Sequence, residues 1–173
     1  RHSKRVSDIS QSIGRALGLS EFEINQLRAV GLLHDIGKIG ISESILDKIE
    51  PLSPNEYEAI KKHSEIGYRI LNSAAYMKEL AEIILSHHER WDGNGYPNGL
   101  KGDEIPILAR IVSVADSYDA MMSDRPYRKA LTEQEAISQI IQNSGTQFDV
   151  EIAKIFIKTV MPVFNERELT YIN

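Results

Sequence analysis

The sequence has 173 residues, 42% hydrophobic and 26% charged, which is enough apolar material for a sizeable core and excludes disordered and fibrous chains. With 20 Lys and Arg against 25 Asp and Glu, the formal net charge of -5 argues against a polymeric nucleic-acid partner or direct contact with an anionic membrane. Cys is absent, so disulfide frameworks, thiolate metal sites and cysteine nucleophiles are excluded, any metal must rest on His and carboxylates, and a reducing cytoplasm is the expected location.

Val6, Ile9, Ile13 and Leu17 keep the three-to-four spacing of an amphipathic helix over 2–17, with Gly18 placed to end it. Ser20 and Glu23 form a capping box that opens a helix over 21–36. Ser53, Pro54 and Glu56 open another over 54–72, with proline at the first helical position. Further helices are predicted over 76–90 and 107–123, then 133–143 behind a Thr132–Glu135 box, and 150–160. No stretch alternates with period two. The helical pattern breaks at 39–52 and at 91–106, where Gly93, Gly95, Pro97, Gly99, Gly102 and Pro106 crowd together. So glycine-dense a segment in a compact domain points to function. No apolar run approaches the roughly 20 residues of a membrane span, and no signal peptide or internal repeat is visible. The expected architecture is one all-α domain over 1–173. Because the sequence begins at Arg1 without a Met, it is expected to be a piece of a longer chain, whose N-terminal part could carry a membrane anchor.

The histidines carry the chemical signal. There are 5, namely His2, His34, His63, His87 and His88. His34 follows Leu27 and Val30 at helical spacing, His63 follows Ile60, and the His87–His88 pair follows Leu80 and Ile84, so these four are predicted to face inward. A lone inward histidine is ordinarily a satisfied core residue. Several together, with Asp35 beside His34 and Asp116 directly after the apolar run Ile111–Ala115, call for a shared positive centre. His2, His34, Asp35, His63, His87, His88 and Asp116 exceed the about four to six ligands of one ion. Two ions about 3.5–4 Å apart would use them all, with Asp35 as the bridge, and such a pair is a clamp for in-line displacement at phosphorus. Iron or manganese suits this donor set. A hydroxide generated between two such cations at neutral pH is the expected nucleophile. Lys38, four residues after His34, is placed to reach the scissile phosphate or protonate the leaving oxygen; otherwise it is a surface lysine at a helix C-terminus.

His34-Asp35-Ile36-Gly37-Lys38, together with His87-His88-Glu89-Arg90-Trp91-Asp92-Gly93-Asn94-Gly95-Tyr96-Pro97, resembles the HD-GYP class of the HD superfamily of metal-dependent phosphohydrolases. The resemblance extends over Arg110–Met121, Ser123–Ala130 and Ser144–Asp149. Its departures, Ser42, Ser64 and Val150 where proline is common, remove no ligand and no charge.

The resemblance implies an HD-type helical bundle of about seven helices around a bi- or trinuclear metal centre, often iron or manganese. It further implies hydrolysis of cyclic di-GMP to linear pGpG and onward to GMP. Carried over by position, His34, Asp35, His63, His87, His88 and Asp116 become metal ligands, with Asp35 bridging, and His2 matches the family's N-terminal histidine. Three-metal members add a glutamate four residues before that histidine, a position outside this sequence. Arg125 and Arg128 resemble substrate contacts, suited to phosphate or to a guanine edge; the bland reading is a solvated charge run with Lys129. Gly95, Tyr96 and Pro97 form a loop expected to brace the His87–His88 helix or present an edge to a protein partner, and Trp91 and Asp92 read as loop anchors. A sensory or receiver domain is expected upstream, and a homodimer is a candidate assembly. Two alternatives stay open: a catalytically silent module that binds cyclic di-GMP or a protein, and an HD phosphohydrolase acting on another cyclic dinucleotide or nucleotide.

Overall fold

The computed structural model describes residues 2–124 and 129–160. Among them the regular elements are helices: α1 (His2–Ala16), α2 (Glu21–Leu33), α3 (Glu43–Leu46), α4 (Pro54–Lys61), α5 (His63–Asn72), α6 (Lys78–Ser86), α7 (Ile107–Met121), α8 (Glu133–Gln142) and α9 (Val150–Val160). Short 3-10 turns occur at Ile36–Gly40, Ala75–Met77 and Gly102–Glu104. Within the described residues the β pairing is an isolated bridge between Ser144 and Phe148, so the all-α expectation holds. None of these helices is long and apolar enough to cross a membrane.

All three capping boxes form. Ser20, Ser53 and Thr132 each accept the backbone N–H three residues on, and Glu23, Glu56 and Glu135 each reach back to the cap's own N–H. Such a cap contributes about 1 kcal/mol, which is why these starts are readable in the sequence.

The ends differ from expectation. Helix α2 stops at Leu33 rather than 36, the helix expected over 54–72 breaks at Lys62 into α4 and α5, and that expected over 76–90 stops at Ser86. One cause serves all three places. His34 turns Nδ1 onto Gly31 O (3.0 Å), His63 onto Ile60 O (2.7 Å) and His87 onto Ile84 O (2.5 Å). Each imidazole satisfies a carbonyl in the last turn of the helix just ended, so the chain can leave the helical path at the histidine.

The core places these histidines at one end of the bundle. Val6 and Ile13 of α1, Leu27 and Val30 of α2, Ile84 of α6, Ile111, Val112 and Ala115 of α7, Ile140 of α8 and Phe156 of α9 are fully buried. Burying each large side chain is worth roughly 1.5–3 kcal/mol. Helix α1 packs on α2, α7 and α9, and α5 packs on α6 and on the 36–40 turn. At Gly37 an added Cβ would lie 1.8 Å from His63 O, so only glycine lets this turn press against the start of α5, which brings Asp35 beside His63.

Candidate metal centre

Two groups of donors face each other. In the first, His63 Nε2 lies 3.1 Å from His88 Nε2 and 3.4 Å from His87 Nε2. In the second, His2 Nε2 lies 3.2 Å from Asp116 Oδ1, and His34 Nε2 lies 3.6 Å from the same oxygen. Asp35 stands between the groups. Its Oδ2 is 3.7 Å from His34 Nε2 and 3.9 Å from His2 Nε2, whereas its Oδ1 is 3.9 Å from His63 Nε2.

These residues fit a metal ion. His63 and His87 direct Nδ1 at carbonyl oxygens, which accept, so those nitrogens carry the proton and the facing Nε2 atoms present lone pairs to each other. His34 is arranged likewise, and its buried Nε2 has no hydrogen-bond partner. Converging, unpaired imidazole nitrogens in a buried site are costly unless a cation takes them. Donors ~2.1 Å from a common ion lie roughly 3–3.5 Å apart, near the separations found. His63, His87 and His88 form one set able to hold an ion, and His2, His34 and Asp35 another.

The electrostatics separate the two sets. Burial pushes His87 down to about 3, with His34 and His63 adding to the effect, and burial likewise lowers His88 and His63. All three are therefore neutral near pH 7, the form that ligates. His2 is raised, chiefly by its hydrogen bond with Asp116. For His34, burial acts downward, but Asp116 and Asp35 outweigh it and raise the group. Burial of Asp35 is outweighed by His34 and Lys38, and burial of Asp116 by His2 and His34, so both carboxylates stay ionised.

All seven side chains singled out as donors thus converge at one end of the bundle. His34, His63 and His87 are buried as expected; His88, Asp35 and Asp116 are half-buried. Lys38 is in the last turn of the 36–40 3-10 helix and its Nζ lies 2.7 Å from Asp35 Oδ2, so its ammonium sits at the edge of the donor cluster. Arg125 and Arg128 lie outside the described residues.

The loop over 91–106 braces this centre. Tyr96 stacks on His88, with ring centroids 4.9 Å apart and planes 27° apart, and its N–H donates to His88 O at 3.3 Å. A Cβ on Gly95 would meet Arg90 N at 2.4 Å, so glycine is required for the loop to lie this close. Trp91 and Asp92 are anchors: Trp91 N–H donates to Gln147 O at 3.2 Å, and Asp92 accepts both Arg90 and the Asn94 N–H. Sequence reasoning missed two residues here. Buried Glu89 accepts the N–H groups of Asn98 (2.7 Å) and Leu100 (3.0 Å), pinning the loop. Asp119, also buried, accepts His2 Nδ1–H at 2.6 Å and is paired with Arg5. The available signal was a carboxylate one helical turn after Asp116 on the same apolar helix.

Comparison with known proteins agrees with this geometry. A family model described as "HD domain" matches residues 1–152. A cyclic di-GMP phosphodiesterase of Thermotoga maritima is 45% identical over 98% of this chain and 45% of its own length. A 3'3'-cGAMP-specific phosphodiesterase of Vibrio cholerae is 41% identical over 87% of this chain and 33% of its own. Among solved structures, a V. cholerae cyclic GMP-AMP-specific phosphodiesterase superposes with a TM-score of 0.72 at 26% identity, over 92% of this chain and 43% of that one. The chain spans less than half the length of these relatives. With the His34-Asp35 pair at the junction of the two donor sets and the Gly95-Tyr96-Pro97 loop resting on His88, the chain belongs to the HD domain family.

Proposed function

We propose that this chain is a metal-dependent phosphodiesterase that opens cyclic di-GMP to linear pGpG and carries it on to GMP. The observation that supports this most strongly is the Asp35 carboxylate, which turns one oxygen to each donor set. The names of the relatives point to the same reaction class. His2, His34, Asp35 and Asp116 would hold one divalent ion, and His63, His87, His88 and Asp35 the other, iron or manganese. When bound, such a pair polarises a phosphate's nonbridging oxygens and makes hydroxide accessible at neutral pH.

The remaining roles fall to side chains around the cluster. Lys38 sits at the mouth of the donor set with its ammonium against Asp35 Oδ2. An incoming phosphate competes for that ammonium, which then balances the phosphate charge or gives a proton to the departing 3'-oxygen. Beside His88, a cavity of about 570 Å³ lined by Tyr57, Lys61, Arg90, Asn94, Tyr96 and Gln147 offers aromatic faces, amides and cations. That composition and size suit one nucleotide half of the substrate. Arg125 and Arg128 are assigned to the second phosphate and guanine by the sequence resemblance.

The test is chromatography of products after metal-loaded protein is incubated anaerobically with cyclic di-GMP, 3'3'-cGAMP or neither, beside a metal-stripped control. Metal-dependent release of pGpG or GMP is expected. Faster turnover of 3'3'-cGAMP would reassign the substrate within the class, and intact dinucleotides with a full metal complement would overturn the enzymatic reading in favour of a binding module.

A further inference from the structure

The donor imidazoles are not backed alike. His34, His63 and His87 each rest Nδ1 on a backbone carbonyl of the turn before them. His2 stands on the first turn of α1 and donates Nδ1–H instead to Asp119 Oδ2 at 2.6 Å, a carboxylate of α7. Asp119 follows Asp116 by one turn, so α7 brackets this imidazole: Asp119 faces Nδ1, and Asp116 Oδ1 lies 3.2 Å from Nε2. The side chain of Asp119 is 3% exposed, and its charge is balanced by Arg5, which reaches it through Nε and, at 3.0 Å, through a terminal nitrogen that also bonds Ser123 Oγ at 3.0 Å.

The difference has a chemical consequence. A carbonyl fixes a tautomer; an ionised carboxylate fixes it and also pushes electron density onto the opposite nitrogen, making Nε2 the stronger donor. Arg5 works against this by withdrawing part of the carboxylate's charge. We propose that Asp119 is a positioning residue that makes the His2–His34–Asp116 half of the centre the tighter of two unequal metal sites, with Arg5 setting how much tighter. The inference rests on reading the seven donors as a metal centre and is independent of which dinucleotide is cleaved.

The experiment titrates metal-stripped protein with Co(II), following the visible absorption of the bound ion and the stoichiometry per chain, for the wild type, Asp119→Asn, His2→Ala and Arg5→Gln. Two sites of unequal affinity are expected in the wild type. Asp119→Asn, which keeps an oxygen acceptor for His2, should weaken the tighter site by about 10–100-fold and leave the other in place, as His2→Ala should. Arg5→Gln, which breaks the same α1–α7 contact from the other side, should raise the affinity of that site above the wild-type value, and an unchanged affinity would overturn the role given to Arg5. Parallel weakening in Asp119→Asn and Arg5→Gln would reduce Asp119 to a purely structural clasp and overturn the proposal, as would unchanged affinities in Asp119→Asn. If Asp119→Asn fails to fold, the direction of change in Arg5→Gln decides. A wild type that binds no Co(II) would instead overturn the metal-centre reading itself.

Discussion

Tyr96 lies on His88 with its ring centroid 4.9 Å away, so the glycine-rich loop touches a donor imidazole directly rather than merely flanking the site. A stacked aromatic pair of this kind is worth about 0.5–1.5 kcal/mol. Tyr96→Ala should therefore weaken metal binding at the His63, His87 and His88 set by several-fold to about tenfold, whereas Tyr96→Phe, which keeps the ring, should bind as the wild type does. Calorimetric titration of metal-stripped protein measures both; equal losses in the two variants would contradict a role for the stack.

The loop is held from beneath by Glu89. Its carboxylate is buried and accepts two backbone N–H groups, and removing it leaves both donors without a partner. Glu89→Ala should destabilise the fold by about 3 kcal/mol in urea unfolding. A change below about 0.5 kcal/mol would show that the loop finds other partners.

Asp92 supplies a pH signature. Its hydrogen bond from Arg90 is the main reason that its carboxyl falls from 3.8 to about 2, with the Asn94 amide contributing. A carboxylate whose value is depressed on folding contributes stability that is complete above its ordinary value and is lost as pH falls through the folded one. The stability gap between the wild type and Asp92→Asn should thus be constant above about pH 5 and shrink from about pH 4 toward pH 2. Urea unfolding across this range checks it, and a gap that widens in acid would reverse the assignment.

How much of this was legible in the sequence depends on how local the cause is. Helix starts at Ser20, Ser53 and Thr132 were readable because each capping box is complete within four residues. The inward facing of His34, His63 and His87 followed from helical spacing alone. The helix ends at Leu33, Lys61 and Ser86 were not readable, because an imidazole in each case replaces the backbone partner that propensity assumes. Asp119 and Glu89 were missed for different reasons: a carboxylate on an apolar helix announces that it needs a partner but not which one, and His2 lies 117 positions from Asp119, whereas Glu89 lies past the end of α6 and its partners are backbone N–H groups, which leave no side-chain signal. The residues 125–128, which carry the expected substrate arginines, lie outside the described structure.

In the proposed centre Asp35 joins two donor sets into one. Metal analysis of Asp35→Ala, purified and reloaded with Mn(II) beside the wild type and assayed on cyclic di-GMP, tests it most directly. A fall from about two ions per chain to one or none is expected, with turnover abolished. A variant that keeps both ions and full turnover would contradict it.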